Sequence, residues 1–153
     1  MEIENKIPKS CKVVVIGGGV AGCSTAYHLA KYGWKDTVLL ERDVLTSGTT
    51  WHAAGLIGQL GSSATITKLR NYSLNLYKRL EEETGLSTGL KQNGSLTVAT
   101  TLDRLEELKR QLTFAQRFDI EATQVSNEEI KEIYPLINTE DLVGGVFIKK
   151  DGQ

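Results

Sequence analysis

The stretch Lys12-Val-Val-Val-Ile-Gly-Gly-Gly-Val-Ala-Gly22 decides the fold. The β-branched run Val13 to Ile16 reads as a short strand buried on both faces. Three glycines end it. Ala21 to Lys31 follows with small and apolar side chains at Ala26, Leu29 and Ala30, the spacing of a helix packed closely on a sheet. Gly33 stops that helix, and Thr37-Val-Leu-Leu-Glu41 reads as a second buried strand. Strand, helix and strand in this order make a βαβ unit with a right-handed crossover.

The loop between the first strand and the helix carries chemistry. In Gly17-x-Gly19-x-x-Gly22 the first glycine permits the tight turn and the second lets a pyrophosphate approach the backbone. The third lets the helix pack on the strand. The helix start then offers unpaired N–H groups and a positive dipole end to phosphates. Glu41, about 20 residues further on, ends the second strand where a carboxylate accepts from ribose hydroxyls. Its charge favours a free ribose over a 2′-phosphorylated one, with Arg42 beside it as the one opposing signal. The motif alone does not separate FAD from NAD.

Beyond the unit, residues 1–11 read as a polar lead-in closed by Pro8, and Ile66 to about Thr84 as an amphipathic helix ended by Gly85. Asn93-Gly94 predicts a hairpin joining Leu90–Gln92 to Ser95–Ala99. Leu102, Leu105, Leu108, Leu112 and Ala115 define another helix. Ser126-Asn-Glu-Glu129 is a capping box for a shorter one terminated at Pro135. Val143 to Ile148 reads as a strand and Asp151-Gly152 as a turn. Because a doubly wound sheet needs more strands than one βαβ unit supplies, the expectation is an α/β protein: the N-terminal βαβ of a Rossmann-like domain over residues 1–60, then an incomplete α+β region over 61–153. The chain is expected to be the N-terminal part of a longer protein.

Composition narrows the class. Eighteen Lys and Arg against 19 Asp and Glu give a net charge of −1, with no basic excess for nucleic acid. Two cysteines, Cys11 and Cys23, are too few for a disulfide scaffold and point to a reducing compartment. With two histidines and no ligand spacing, no metal site is expected. The longest apolar run is too short for membrane insertion, and Glu2 and Glu4 do not suit a signal or transit peptide. His28 reads as a packed helix histidine, and Cys23 as a small buried residue.

Thr46 to Leu56 is rich in Gly, Ser, Thr and Ala around Trp51-His52. Two readings stand equal on composition: small residues against which a planar ligand lies, or His52 capping a helix that begins near Ala53, with Trp51 plugging a groove.

Leu45-Thr-Ser-Gly-Thr-Thr-Trp-His-Ala-Ala-Gly-Leu56, Val14-Val-Ile-Gly-Gly-Gly-Val-Ala-Gly22 and Leu39-Leu-Glu-Arg42 together resemble the sarcosine and dimethylglycine dehydrogenase family, flavoproteins of the D-amino-acid-oxidase superfamily. Leu80–Gly85, Gln92–Ser95, Tyr134-Pro-Leu136 and Asp151-Gly152 match as well. The resemblance implies that His52 is bonded covalently to the 8α-methyl carbon of FAD. By position it also implies that Gly17, Gly19, Val20, Ala21 and Gly22 meet the pyrophosphate. Glu41 and Arg42 would lie near the adenosine ribose, and Gly48, Thr49, Thr50, Trp51, His52, Ala53, Ala54, Gly55 and Leu56 along the flavin.

The implied activity is FAD-dependent oxidative demethylation of a small N-methylated amino acid, sarcosine or dimethylglycine, with an electron-transfer flavoprotein as acceptor. Tetrahydrofolate would serve only in a full-length protein, and no catalytic residue is named within these 153. The implied compartment is cytoplasmic in a bacterium and the mitochondrial matrix in a eukaryote. The alternatives are an NAD-linked Rossmann oxidoreductase, which has no use for Trp51-His52, and a non-catalytic regulatory homologue, a class that lacks the pair.

Overall fold

A computed structural model describes residues 8–153; residues 1–7, with Glu2 and Glu4 of the lead-in, lie outside the described residues. The chain divides into two compact units, the first ending at Ala54 and the second spanning Gly55–Gln153.

In the first unit β1 (Val13–Ile16), α1 (Val20–Lys31) and β2 (Thr37–Leu40) follow one another. β1 pairs parallel with β2, Val13 opposite Thr37 and Ile16 opposite Leu40. The βαβ unit forms as the residue pattern requires, but neither strand is buried as expected: β2 has no buried residue, and its Leu40 is 44% exposed. β1 is not buried on both faces: Val15 is buried, whereas Val14 is 50% and Ile16 86% exposed. One helix covers one face of a two-stranded sheet, and no described residue of this unit covers the other. Gly33 ends α1 with φ 86°, a left-handed conformation that glycine adopts without a Cβ clash.

In the second unit α2 (Ala64–Thr84) opens on Ser63, whose side chain accepts the Ile66 N–H, and closes on Gly85 at φ 70°. β3 (Ser95–Ala99), α3 (Leu102–Gln116), β4 (Ala122–Val125), α4 (Asn127–Ile133) and β5 (Gly144–Ile148) follow. The antiparallel sheet has the order β3-β5-β4. The two-residue period of β5 sorts its side chains between two clusters. Val146 and Ile148 pack with Ala99, Leu105 and Leu108 beneath α3. Phe147 packs on the other side with Val125, Ile130 and Leu142, against α4. The Ser126–Glu129 capping box is complete in both directions.

The expected hairpin at Asn93-Gly94 does not form. Residues 90–92 are not a strand, and β3 pairs with β5 instead, Ser95 opposite Ile148. Lys91 exchanges both backbone hydrogen bonds with Gln153, at 2.8 and 3.0 Å, and the Gly94 N–H donates to the Asp151 carbonyl at 2.9 Å. Partners distant in sequence thus outcompete the local turn. Asp151-Gly152, read as a simple turn, serves this pairing, with Gly152 also bridging Ile57. β4 has no counterpart in the sequence reading; its alternation is short and ends directly in the α4 cap.

Candidate functional site

The glycine loop is built as the phosphate-binding spacing demands. Gly17 turns at φ 99°, and its N–H donates to the Leu40 carbonyl at 2.8 Å, closing the end of β1 onto the end of β2. A Cβ at Gly22 would lie on the Gly17 carbonyl oxygen, a backbone atom that cannot step aside, so this glycine allows α1 to sit against the turn. A Cβ at Gly18 would meet Leu45 and Glu41. Gly18 is thus also closely packed, at a position that the Gly-x-Gly spacing treats as free.

Glu41 reaches back into this loop. Its Oε2 accepts the Gly18 N–H at 2.6 Å, and its Oε1 accepts the N–H groups of Arg42 at 2.7 Å and Asp43 at 3.1 Å. The Gly18 bond is the largest cause holding the carboxyl below its ordinary range, followed by the Asp43 and Arg42 amides. A carboxylate has about four lone-pair sites. Three are used, which leaves one on Oε2 for an external hydroxyl.

The segment after β2 folds back over the loop. Thr46 donates its N–H to the Gly18 carbonyl at 2.9 Å and stands at φ 66°, a left-handed conformation uncommon for a β-branched residue. A 3-10 turn over Thr49–His52 follows. The Thr50 Oγ1 accepts the N–H of Val20, the first residue of α1, at 3.0 Å. His52 Nδ1 lies 3.1 Å from the Gly48 carbonyl oxygen. A carbonyl only accepts, so this contact requires the proton on Nδ1, and in the neutral ring the lone pair is then on Nε2. No helix begins at Ala53, which is extended at ψ 142°, and Trp51 is 75% exposed rather than plugging a groove. Its ring stands edge-on to His52, with centroids 5.8 Å apart.

These residues enclose a cleft of about 460 Å³ lined by Gly17, Gly19, Glu41, Arg42, Gly48, Thr49 and Thr50, within the size range of small-molecule sites. Ile16, Leu40, Asp43 and Ser47 also line it and were not singled out by the motif. Gly19 caps α1 without a side-chain hydrogen bond, and the first N–H groups of a helix have no partner within it. Those of Ala21 and Gly22 therefore stand open at the cleft end of α1. Glycines where side chains would collide, open helix amides and one free carboxylate site fit the adenosine diphosphate half of a dinucleotide. Val20, Ala21, Gly22 and Trp51 to Ala54 do not line the cleft, and Gly55 and Leu56 belong to the second unit, where Leu56 lines a cavity of about 800 Å³. Among the described residues no group of His, Cys, Asp or Glu side chains could hold a metal ion. No helix there is long and apolar enough to cross a membrane.

A family model described as FAD dependent oxidoreductase matches residues 12–153. The chain is 48% identical over 147 residues to the mitochondrial sarcosine dehydrogenase of Homo sapiens, covering 95% of this chain and 16% of that protein. It is 44% identical over 142 residues to the mitochondrial dimethylglycine dehydrogenase of Rattus norvegicus, covering 93% and 17%. A regulatory subunit of pyruvate dehydrogenase phosphatase from Mus musculus is 41% identical, over 95% of this chain and 16% of that one. The crystal structure of L-proline dehydrogenase from P. horikoshii superposes with a TM-score of 0.88 at 29% identity, over 95% of this chain and 38% of its own.

Proposed function

The chain belongs to the FAD dependent oxidoreductase family, and on that premise we propose that the intact protein oxidises the N-methyl group of sarcosine or dimethylglycine with FAD joined to His52. Family membership favours FAD over the NAD-linked alternative. Bound FAD supplies the two-electron acceptor for breaking the N-methyl C–H bond. The amine is left as an iminium, water or tetrahydrofolate takes the one-carbon unit, and an electron-transfer flavoprotein removes the electrons. Support comes from the sarcosine and dimethylglycine dehydrogenase relatives. Their mitochondrial location suggests the matrix as the compartment in a eukaryote.

The residues divide the work. The open amides of α1 and the backbone at Gly17 and Gly19 receive the pyrophosphate. The free site on Glu41 takes a ribose hydroxyl, and Arg42 lies beside it. Gly48 to His52 run along the flavin, and we extend that lining to Ala53, Ala54, Gly55 and Leu56.

The observation that carries this reading is the His52 contact with Gly48. In the neutral ring it holds the proton on Nδ1, so Nε2 would be the atom offered to the 8α carbon. Forming that bond would take one proton from the methyl carbon and one from the imidazole, with an oxidant such as dioxygen taking the two electrons.

Acid precipitation of the intact protein tests the link. Flavin should remain in the pellet for the wild type and move wholly to the supernatant for His52→Ala. Wild-type flavin in the supernatant would remove the attachment. The similarity to a regulatory subunit favours one other reading, a binding protein without turnover. Failure of sarcosine and dimethylglycine to bleach the bound flavin anaerobically would select it.

A further inference from the structure

One hydroxyl joins the two halves of the cleft. The Thr50 Oγ1 accepts the Val20 N–H at the first residue of α1. The same residue lies in the 3-10 turn that ends in His52, and its carbonyl accepts the Ala53 N–H that closes the turn, at 3.1 Å. Gly19 leaves the space the hydroxyl needs: a Cβ there would stand 3.0 Å from Thr50 Oγ1. The second tether, Thr46 to the Gly18 carbonyl, lies at the far end of the segment. The Thr50 hydroxyl is thus the group that ties the His52 turn to the start of α1.

A hydroxyl that accepts from a helix amide still has its own proton to donate. At the positive end of α1 that proton suits an anion. We propose that Thr50 is a positioning residue that couples pyrophosphate binding at the start of α1 to the placement of the His52 imidazole. A phosphate oxygen arriving there takes the Thr50 proton while Oγ1 keeps the Val20 N–H, so the hydroxyl, and with it the turn, takes up one orientation. This inference rests on the His52 attachment proposed above.

The test follows covalent flavin incorporation in the intact apoprotein, by acid-stable flavin against time, at saturating FAD so that affinity drops out. Thr50→Val keeps the shape and removes the hydroxyl. One hydrogen bond of this kind corresponds to a slowing of about 2- to 10-fold, and Thr50→Ser should restore the wild-type rate. Gly19→Ala, which crowds Thr50 Oγ1, should slow incorporation too and serves if Thr50→Val does not fold. A wild-type rate in Thr50→Val or in Gly19→Ala overturns the coupling. So does a Thr50→Ser variant as slow as Thr50→Val, because the loss would then be one of shape. Absence of acid-stable flavin in the wild type would instead overturn the His52 attachment itself, and the coupling with it.

Discussion

Glu41 Oε2 accepts the Gly18 N–H at 2.6 Å, so the carboxylate at the end of β2 closes the glycine turn that leaves β1. The residue expected to read a ribose is also a structural part of the loop that reads the pyrophosphate. Two backbone amides donate to Oε1, which leaves one acceptor site free on Oε2.

Acid should loosen this loop. The Glu41 carboxyl is held below its ordinary value of 4.5, so the folded state favours the charged form. Its contribution is fully present above the ordinary glutamate range and is lost as pH falls through the lowered value. Glu106, Glu107, Glu121 and Glu128 are lowered as well, so the whole chain should lose stability in the same direction. Thermal melts of wild type and Glu41→Gln between neutral pH and pH 3 should show a shallower acid limb for the variant. Parallel limbs would contradict the assignment.

Glu41→Gln should also weaken noncovalent FAD binding by about tenfold or more, the size expected when a charge-assisted hydrogen bond becomes a neutral one. Fluorescence titration in a His52→Ala background reads this without interference from the covalent link. Equal affinities would limit Glu41 to holding the loop.

Gly22 should not tolerate alanine. Gly22→Ala drives a Cβ onto the Gly17 carbonyl oxygen, and should cost about 1–3 kcal/mol in denaturant unfolding together with FAD binding. A stable Gly22→Ala protein would show that α1 does not sit against the turn.

In the second unit Asp151, 5% exposed, accepts the Gln59 N–H at 2.7 Å and the Ser95 hydroxyl at 2.6 Å. Asp151→Ala strands a buried backbone donor and should cost about 1–3 kcal/mol. Asp151→Asn keeps an acceptor for Gln59, and the Ser95 hydroxyl can turn to accept from the new amide, so its loss should be smaller. Equal losses in the two variants would assign the effect to packing or charge instead.

Sequence alone determined what neighbouring residues decide among themselves. The β1-α1-β2 order, the turn at Gly17, the Ser126–Glu129 cap and the Gly85 stop each depend on a spacing of a few residues, and each stands where the pattern places it. The Trp51-His52 segment stood out because its composition fits no core element. Tertiary structure alone decided which distant groups meet. β4 exists because Val125 and Ala122 find partners on β5, and residues 90–94 forgo a hairpin because Gln153 and Asp151 supply their hydrogen bonds. Gly18 matters because Leu45 and Glu41 close on it, and Thr50 because the chain returns across the start of α1. Periodicity and capping are local properties of a chain, whereas strand pairing and loop closure are set by which remote donors and acceptors folding brings within 3 Å.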